Sequence, residues 1–358
     1  MRRYIYTSAL FILLVLILQI IVSMDWTIEH SMTTGKAQAV RVGIPVPYTP
    51  EPEIESIQKY QVEHPQLGFL WKPSVTVKDN LVVGWGDIPA GAISTDDIGF
   101  INSEEATRNA REGGAVDIIG IGASYIGGAQ NLFYDYFALN GYSYHNLAQG
   151  RFTFPQYNVA LEKYGLALKP KWVIYGVNEV SFTLIPDYEG WKTSGMGWFA
   201  YHSGTWCGPA ITTGFPHDYL KKFPRINNLY LGFMKKTFRG AFNKKPSRKE
   251  LVDKTEAYIL DAWNTCRENG VGFIALLIPS KVRMVQGALP SLYLFEELLP
   301  RLKKKGVPYI DLRDDYRSVD DPSQLYFRQD AHWNGTGVYR AARQILDFIE
   351  HKNEEPVP

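Results

Sequence analysis

Residues 116–128 read Val-Asp-Ile-Ile-Gly-Ile-Gly-Ala-Ser-Tyr-Ile-Gly-Gly. An apolar run as short as Val116 to Gly122 has the length of a buried strand, and the Gly127-Gly128 pair then opens a helix through Leu139 that Gly141 ends. Working outward from this point, the same pattern recurs. Tyr142 to Leu147 is a second strand, Pro155 to Leu168 a second helix, and Trp172 to Gly176 a third strand. Ser247 caps a long helix to Asn269, stopped by Gly270 at the expected position. Phe273 to Ile278 is a strand, Leu292 to Lys305 a helix ended by Gly306, and Tyr309 to Leu312 a strand; the last helix runs from Thr336 to Glu350. Strands alternating with helices predict a parallel sheet covered on both faces, a flavodoxin-like three-layer α/β/α sandwich.

Residues 180–246 break this alternation, and an excursion of that length from an α/β core predicts a cap over the functional end of the sheet. Three regions follow: 1–25, an anchor; 26–110, a linker and accessory segment; and 111–358, the catalytic-type domain with its inserted cap. Pro45, Pro47, Pro50 and Pro52 space out an extended linker, and residues 60–110 predict small strands or loops packed on the main domain.

Tyr4 to Met24 carries no charge, follows Arg2-Arg3 and precedes Asp25. At 1.5 Å per residue such a helix spans about 30 Å of hydrocarbon. The paired arginines place the N-terminus in the cytoplasm, so the rest of the chain is expected on the extracytoplasmic side, periplasmic or at the cell surface. Ile-Val-Ser-Met-Asp is a poor cleavage site, which favours an uncleaved single-pass anchor. The 358 residues have a formal net charge of +1, which argues against a nucleic-acid partner, and 45% hydrophobic residues, enough for a sizeable core. Cys207 and Cys266 are the only cysteines; Cys266 shares a helical stripe with Val252, Ile259 and Trp263 and reads as a buried free thiol.

In open α/β sheets ligands bind outside the carboxyl ends of the strands. The first strand ends in Gly122-Ala123-Ser124, the second in Asn146-Leu147-Ala148-Gln149-Gly150, and the third in Gly176-Val177-Asn178-Glu179. Asp330-Ala331-His332-Trp333-Asn334 stands before the last helix. Each signal alone has a plain structural reading, a cap or a turn. Together they form a chemical set. A serine hydroxyl is inert until a base removes its proton, and His332 can be that base. Asp330, two residues earlier in an extended segment, lies on the same side and can orient the imidazole. The amides of Ser124 and Gly150 and the side chain of Asn178 can hold an oxyanion. No glycine-rich phosphate loop follows the first strand, so no cofactor is expected, and no metal site is read. Asn334-Gly335-Thr336 reads as a turn and helix start, and Asp314-Asp315 and Asp320-Asp321 as solvated loop carboxylates.

These residues resemble the four blocks of the SGNH (GDSL-like) hydrolases: a Ser block after strand one, a Gly block, a Gly-x-Asn block and a C-terminal Asp/His block. The resemblance runs from about Val116 to Glu350, apart from the excursion. Ile278-Pro279-Ser280-Lys281 and the Asp-Ala-His-Trp-Asn string are similar to the subgroup of bacterial exopolysaccharide O-acetyltransferases and exported esterases. It implies Ser124 as nucleophile, Gly150 and Asn178 as oxyanion donors, and Asp330 and His332 as the rest of the triad. Its activity would be that of an esterase or acyltransferase on O-acyl esters of a glycan, through an acyl-serine intermediate, with a small ester or a glycan as substrate and a membrane-bound acyl donor as a further partner. Two positions depart from the pattern: Ala123 stands for the usual Asp before the serine, and Glu179 for the usual Asp after Asn178. Ala123 also fits a second reading, a non-catalytic carbohydrate-binding or polysaccharide-assembly protein on the same fold. Trp191, Trp198, Tyr201 and Trp206 in the excursion, with Trp333 beside the base, are the candidate substrate-binding rings, since aromatic faces stack on sugars. Residues 221–250 hold ten Lys or Arg against Glu250 alone, a basic stretch suited to anionic headgroups or an acidic polymer.

Overall fold

The structure is a computed structural model that describes residues 61–77, 93–194, 246–286, 294–327 and 331–354. The accessory segment opens with two antiparallel pairs: β1 (Gln61–His64) with β2 (Gly68–Trp71), and β3 (Thr76–Val77) with β4 (Ile93–Ser94). Helix α1 (Glu104–Arg111) follows, an element the sequence reading did not contain. Its start is local chemistry: the Ser103 hydroxyl accepts the Ala106 amide at 3.0 Å, and Glu104 and Glu105 occupy the first turn.

The main sheet uses β5 (Ile118–Ile121), β6 (Tyr144–Asn146), β7 (Trp172–Asn178), β8 (Gly272–Ile278) and β9 (Tyr309–Asp311), all parallel, in the order β6-β5-β7-β8-β9. By position along the main domain this is 2-1-3-4-5, the doubly wound order whose strand sequence reverses beside β5. The connecting helices are α2 (Ser124–Gly127), α3 (Gln130–Leu139), α4 (Phe154–Ala160), α5 (Glu179–Ser194), α6 (Arg248–Glu268), α7 (Lys281–Gln286), α8 (Leu294–Lys305), α9 (Leu312–Arg317) and α10 (Gly335–Glu354).

Alternation along the buried strands decides which helices cover which face. Ile118, Ile174, Ile274, Leu276 and Ile310 form one core with Phe133 and Phe137 of α3 and Ala342, Ile345 and Ile349 of α10. On the other face Tyr175 packs its ring against Phe154, Tyr157 and Phe273, while α6 buries Val252, Ile259, Ala262 and Cys266 and contacts α4, α8 and β8. Helices therefore lie on both faces of a mostly buried sheet. Cys266 is a free thiol, and burial pushes it up to about 12, out of the reactive range.

Several boundaries differ from the sequence reading. The third strand continues to Asn178. The second helix is regular only over Phe154–Ala160 and then passes through a π turn and a 3-10 turn. Residues 180–189, expected in the excursion, are the first part of α5 and belong to the compact unit Glu51–Glu189 with Pro246–Pro358; the chain's other unit is Met1–Pro50 with Gly190–Lys245. Asp314 and Asp315, expected as loop carboxylates, lie in α9, and Asp315 takes a paired contact from Arg340 at 2.8 Å. Asn334 does start the last helix: its Oδ1 accepts the amides of Thr336 at 3.0 Å and Gly337 at 3.2 Å. Among the described residues no helix is long and apolar enough to cross a membrane. The expected anchor Tyr4–Met24 and the basic stretch up to Lys245 lie outside the described residues.

Candidate active site

The site begins where β5 runs out. Ala123 is extended and Ser124 is the first residue of α2, so the chain turns sharply at the serine. That turn needs a side-chain-free floor. A Cβ added to Gly122 would lie 2.7 Å from Ile126 Cγ1, and one added to Gly176 of β7 would lie 2.5 Å from the same atom. The two glycines let Ile126 settle into the sheet, and with it the turn that presents Ser124.

Ser124 Oγ lies 2.7 Å from His332 Nε2, a hydrogen bond between residues 208 positions apart. Both are partly exposed, as a nucleophile and its base must be if a substrate is to reach them. Around the histidine the backbone is tied down on several sides. Phe327 N–H donates to the His332 carbonyl at 3.0 Å, and Lys281 Nζ donates to the Phe327 carbonyl at 2.6 Å. Tyr125, next to the nucleophile, clamps the same loop: its hydroxyl donates to the Ala331 carbonyl at 2.9 Å and its ring centroid is 4.7 Å from the imidazole. The fragment that carries the base is thus held by the fragment that carries the nucleophile. Asp330, the expected orienting carboxylate, lies outside the described residues.

Gly150 comes alongside Ser124: a Cβ built on it would sit 4.0 Å from the serine Cβ. The loop that brings it there continues the register of the sheet, with Leu147 N–H donating to the Gly120 carbonyl at 2.8 Å and Gln149 N–H to the Gly122 carbonyl at 3.1 Å. Asn178 ends β7 and is buried. Its side chain is held by Ser181, which donates its amide to Oδ1 at 3.1 Å and accepts Nδ2–H on its hydroxyl at 2.9 Å.

Beside Asn178 sits an unusual charge. Glu179 is 2% exposed; its Oε1 accepts Arg283 Nη1 at 2.5 Å and its Oε2 has no hydrogen-bond partner among the described residues. Burial pushes its carboxyl up to about 7 against the opposing pull of Arg283, and the same burial lowers the arginine. Arg283 also contacts Glu296, which takes Arg313 Nη1 at 2.9 Å.

Of the expected substrate-binding rings, Trp333 is corrected by the structure. It is 3% exposed, packs edge-on to Phe133 and donates its indole N–H to the Tyr125 carbonyl at 2.9 Å, so its face belongs to the core rather than to a ligand. Trp191 lies within α5, and Trp198, Tyr201 and Trp206 lie outside the described residues. Tyr125, Tyr157, Ser181 and the Glu179–Arg283 pair were not singled out as site residues by the sequence. Only the departure at Glu179 marked one of them. Among the described residues no group of three or more His, Cys, Asp or Glu is placed to hold a metal.

Comparison with known proteins gives a family match over part of the chain and several solved structures of low identity. Residues 238–357 match the family model described as an SGNH hydrolase-like domain, acetyltransferase AlgX. No curated protein matches the chain. Among solved structures, a GDSL-like lipase from Bacteroides thetaiotaomicron is 14% identical, covers 69% of this chain and 98% of its own, and has a TM-score of 0.40. A lipase/acylhydrolase from Enterococcus faecalis is 12% identical over 66% of this chain and 97% of its own, with a TM-score of 0.40. An acetyl xylan esterase is 12% identical over 65% and 100%, with a TM-score of 0.39. The family match, to an SGNH hydrolase-like domain, thus covers the C-terminal third of the chain, including His332.

Proposed function

We propose that this protein is a serine esterase or O-acyltransferase that works through an acyl-Ser124 intermediate. The observation that carries the reading is the 2.7 Å contact between Ser124 Oγ and His332 Nε2 across 208 residues of sequence. In this mechanism His332 takes the hydroxyl proton as Ser124 attacks an ester carbonyl. The oxyanion is met by the amides of Ser124 and Gly150 and by Asn178 Nδ2, and the leaving alcohol receives the proton from His332. Water or a sugar hydroxyl then takes the acyl group. The substrate class is an O-acyl, chiefly O-acetyl, ester of a glycan; the AlgX-like match over residues 238–357 supports that choice. The uncharged span after Arg2-Arg3 supports a single-pass anchor with the domain on the extracytoplasmic side, where a membrane-bound partner would supply the acyl group.

The test is labelling with a serine-directed fluorophosphonate, read by intact mass. Wild type should gain one adduct and Ser124→Ala none. A wild-type protein that stays unlabelled would leave the non-catalytic carbohydrate-binding reading in its place.

A further inference from the structure

Asn178 can stabilise an oxyanion only through Nδ2; its Oδ1 in the same place would repel the developing charge. A carboxamide is nearly symmetric in shape, so something must forbid the flipped orientation. The Ser181 amide does so. It is a donor with no accepting capacity, and it lies 3.1 Å from Asn178 Oδ1, so a flip would set N–H against N–H. On the other side Asn178 Nδ2 donates to Ser181 Oγ at 2.9 Å.

The hydroxyl that accepts this bond is itself held from behind. Ser181 Oγ lies 2.8 Å from the Tyr157 hydroxyl, which in turn donates to the Phe152 carbonyl at 3.3 Å. Thr153 Oγ1 donates to the Ser181 carbonyl at 2.6 Å. The contacts therefore run in series: Asn178 Nδ2 to Ser181 Oγ, Ser181 Oγ to the Tyr157 hydroxyl, where either oxygen can donate, and Tyr157 to the Phe152 carbonyl. Linked hydrogen bonds polarise one another, and all of these are buried, where such bonds are strongest. The bond to Ser181 uses one Nδ2 proton of Asn178 and leaves the second for a ligand. The chain also joins two separate strand ends: residues 152–157 after β6 and residues 178–181 after β7.

We propose that Ser181 and Tyr157 are positioning residues that lock the Asn178 carboxamide with one Nδ2 proton reserved for the acyl oxygen. The inference rests on the acyl-serine reading and deepens it.

The experiment measures the fluorophosphonate labelling rate and turnover of a small aryl acetate in wild type, Tyr157→Phe, Ser181→Ala, Asn178→Ala and the double variant Asn178→Ala/Ser181→Ala, with thermal melts of each. Tyr157→Phe keeps the ring and so serves if Ser181→Ala loses stability. Each single change at Tyr157 or Ser181 should lower kcat and labelling rate about tenfold while leaving KM within about twofold. The double variant should be no slower than Asn178→Ala alone, because Ser181 acts through Asn178. Wild-type rates in both single variants, or a further tenfold loss in the double, would overturn the positioning role while leaving the acyl-serine reading intact. A wild-type enzyme inert to the probe would overturn both.

Discussion

The buried Glu179 offers a test of the electrostatics that needs no substrate. Replacing it by Gln removes a carboxyl that is 2% exposed and keeps its shape. In the folded protein burial raises this group from its ordinary 4.5 to about 7. The folded chain therefore binds that proton more tightly than the unfolded chain does. Its stabilising effect is fully present below pH 4.5 and is lost as the pH climbs through about 7. At 1.36 kcal/mol per pH unit the loss is roughly 3 kcal/mol, or about 6 °C in melting temperature for a domain of this size. The assay is urea or thermal unfolding of wild type and Glu179→Gln at pH 5 and pH 8. At pH 5 the two should be nearly equal, since a protonated carboxyl and a carboxamide are alike in charge. From pH 5 to pH 8 the variant should lose about 2.5 kcal/mol less than wild type. Parallel pH slopes would refute the reasoning and would mean that the 2.5 Å contact with Arg283 fully compensates the burial.

Four further outcomes are expected. Ser124→Ala and His332→Ala should each remove nearly all esterase activity, with the double variant no lower, and Asn178→Ala should cost roughly 10²–10³-fold in turnover, all read with a small aryl acetate. Gly176→Ala should push Ile126 and the nucleophile turn off the sheet, costing about 1–3 kcal/mol in urea unfolding together with activity, and Ile126→Ala in the same chain should restore much of both. A reporter active only in the cytoplasm, fused after Pro358, should be silent; strong signal there would remove the anchored topology. Trp191→Ala, Trp198→Ala and Trp206→Ala should raise KM for an acylated polymer and spare a small aryl acetate; loss of both together would make these rings core.

The amino-acid sequence by itself determined the alternation of short apolar runs and capped helices, because burial periodicity and capping are local properties of the chain. The helix after Ser247 and its stop at Gly270 are such cases, and so are the strand ends at Ser124, Gly150 and Asn178. Helix Glu104–Arg111 was legible by the same rule, since Ser103 and the two glutamates announce it, yet its weakly apolar sequence hid it among turns. The tertiary structure alone decided what depends on distant partners. It set the strand order β6-β5-β7-β8-β9, and it brought His332 to Ser124 across 208 residues. It buried Trp333, a ring whose residue type suits a sugar as well as a core; only the packing of α3, α10 and Tyr125 around it distinguishes the two. It also joined Asn178, Ser181 and Tyr157, and set Glu179 against Arg283. Hydroxyls and charges of this kind have no periodicity to announce them. Their meaning comes from which atoms lie within about 3 Å, and that is fixed only when separate segments of the chain close on one another.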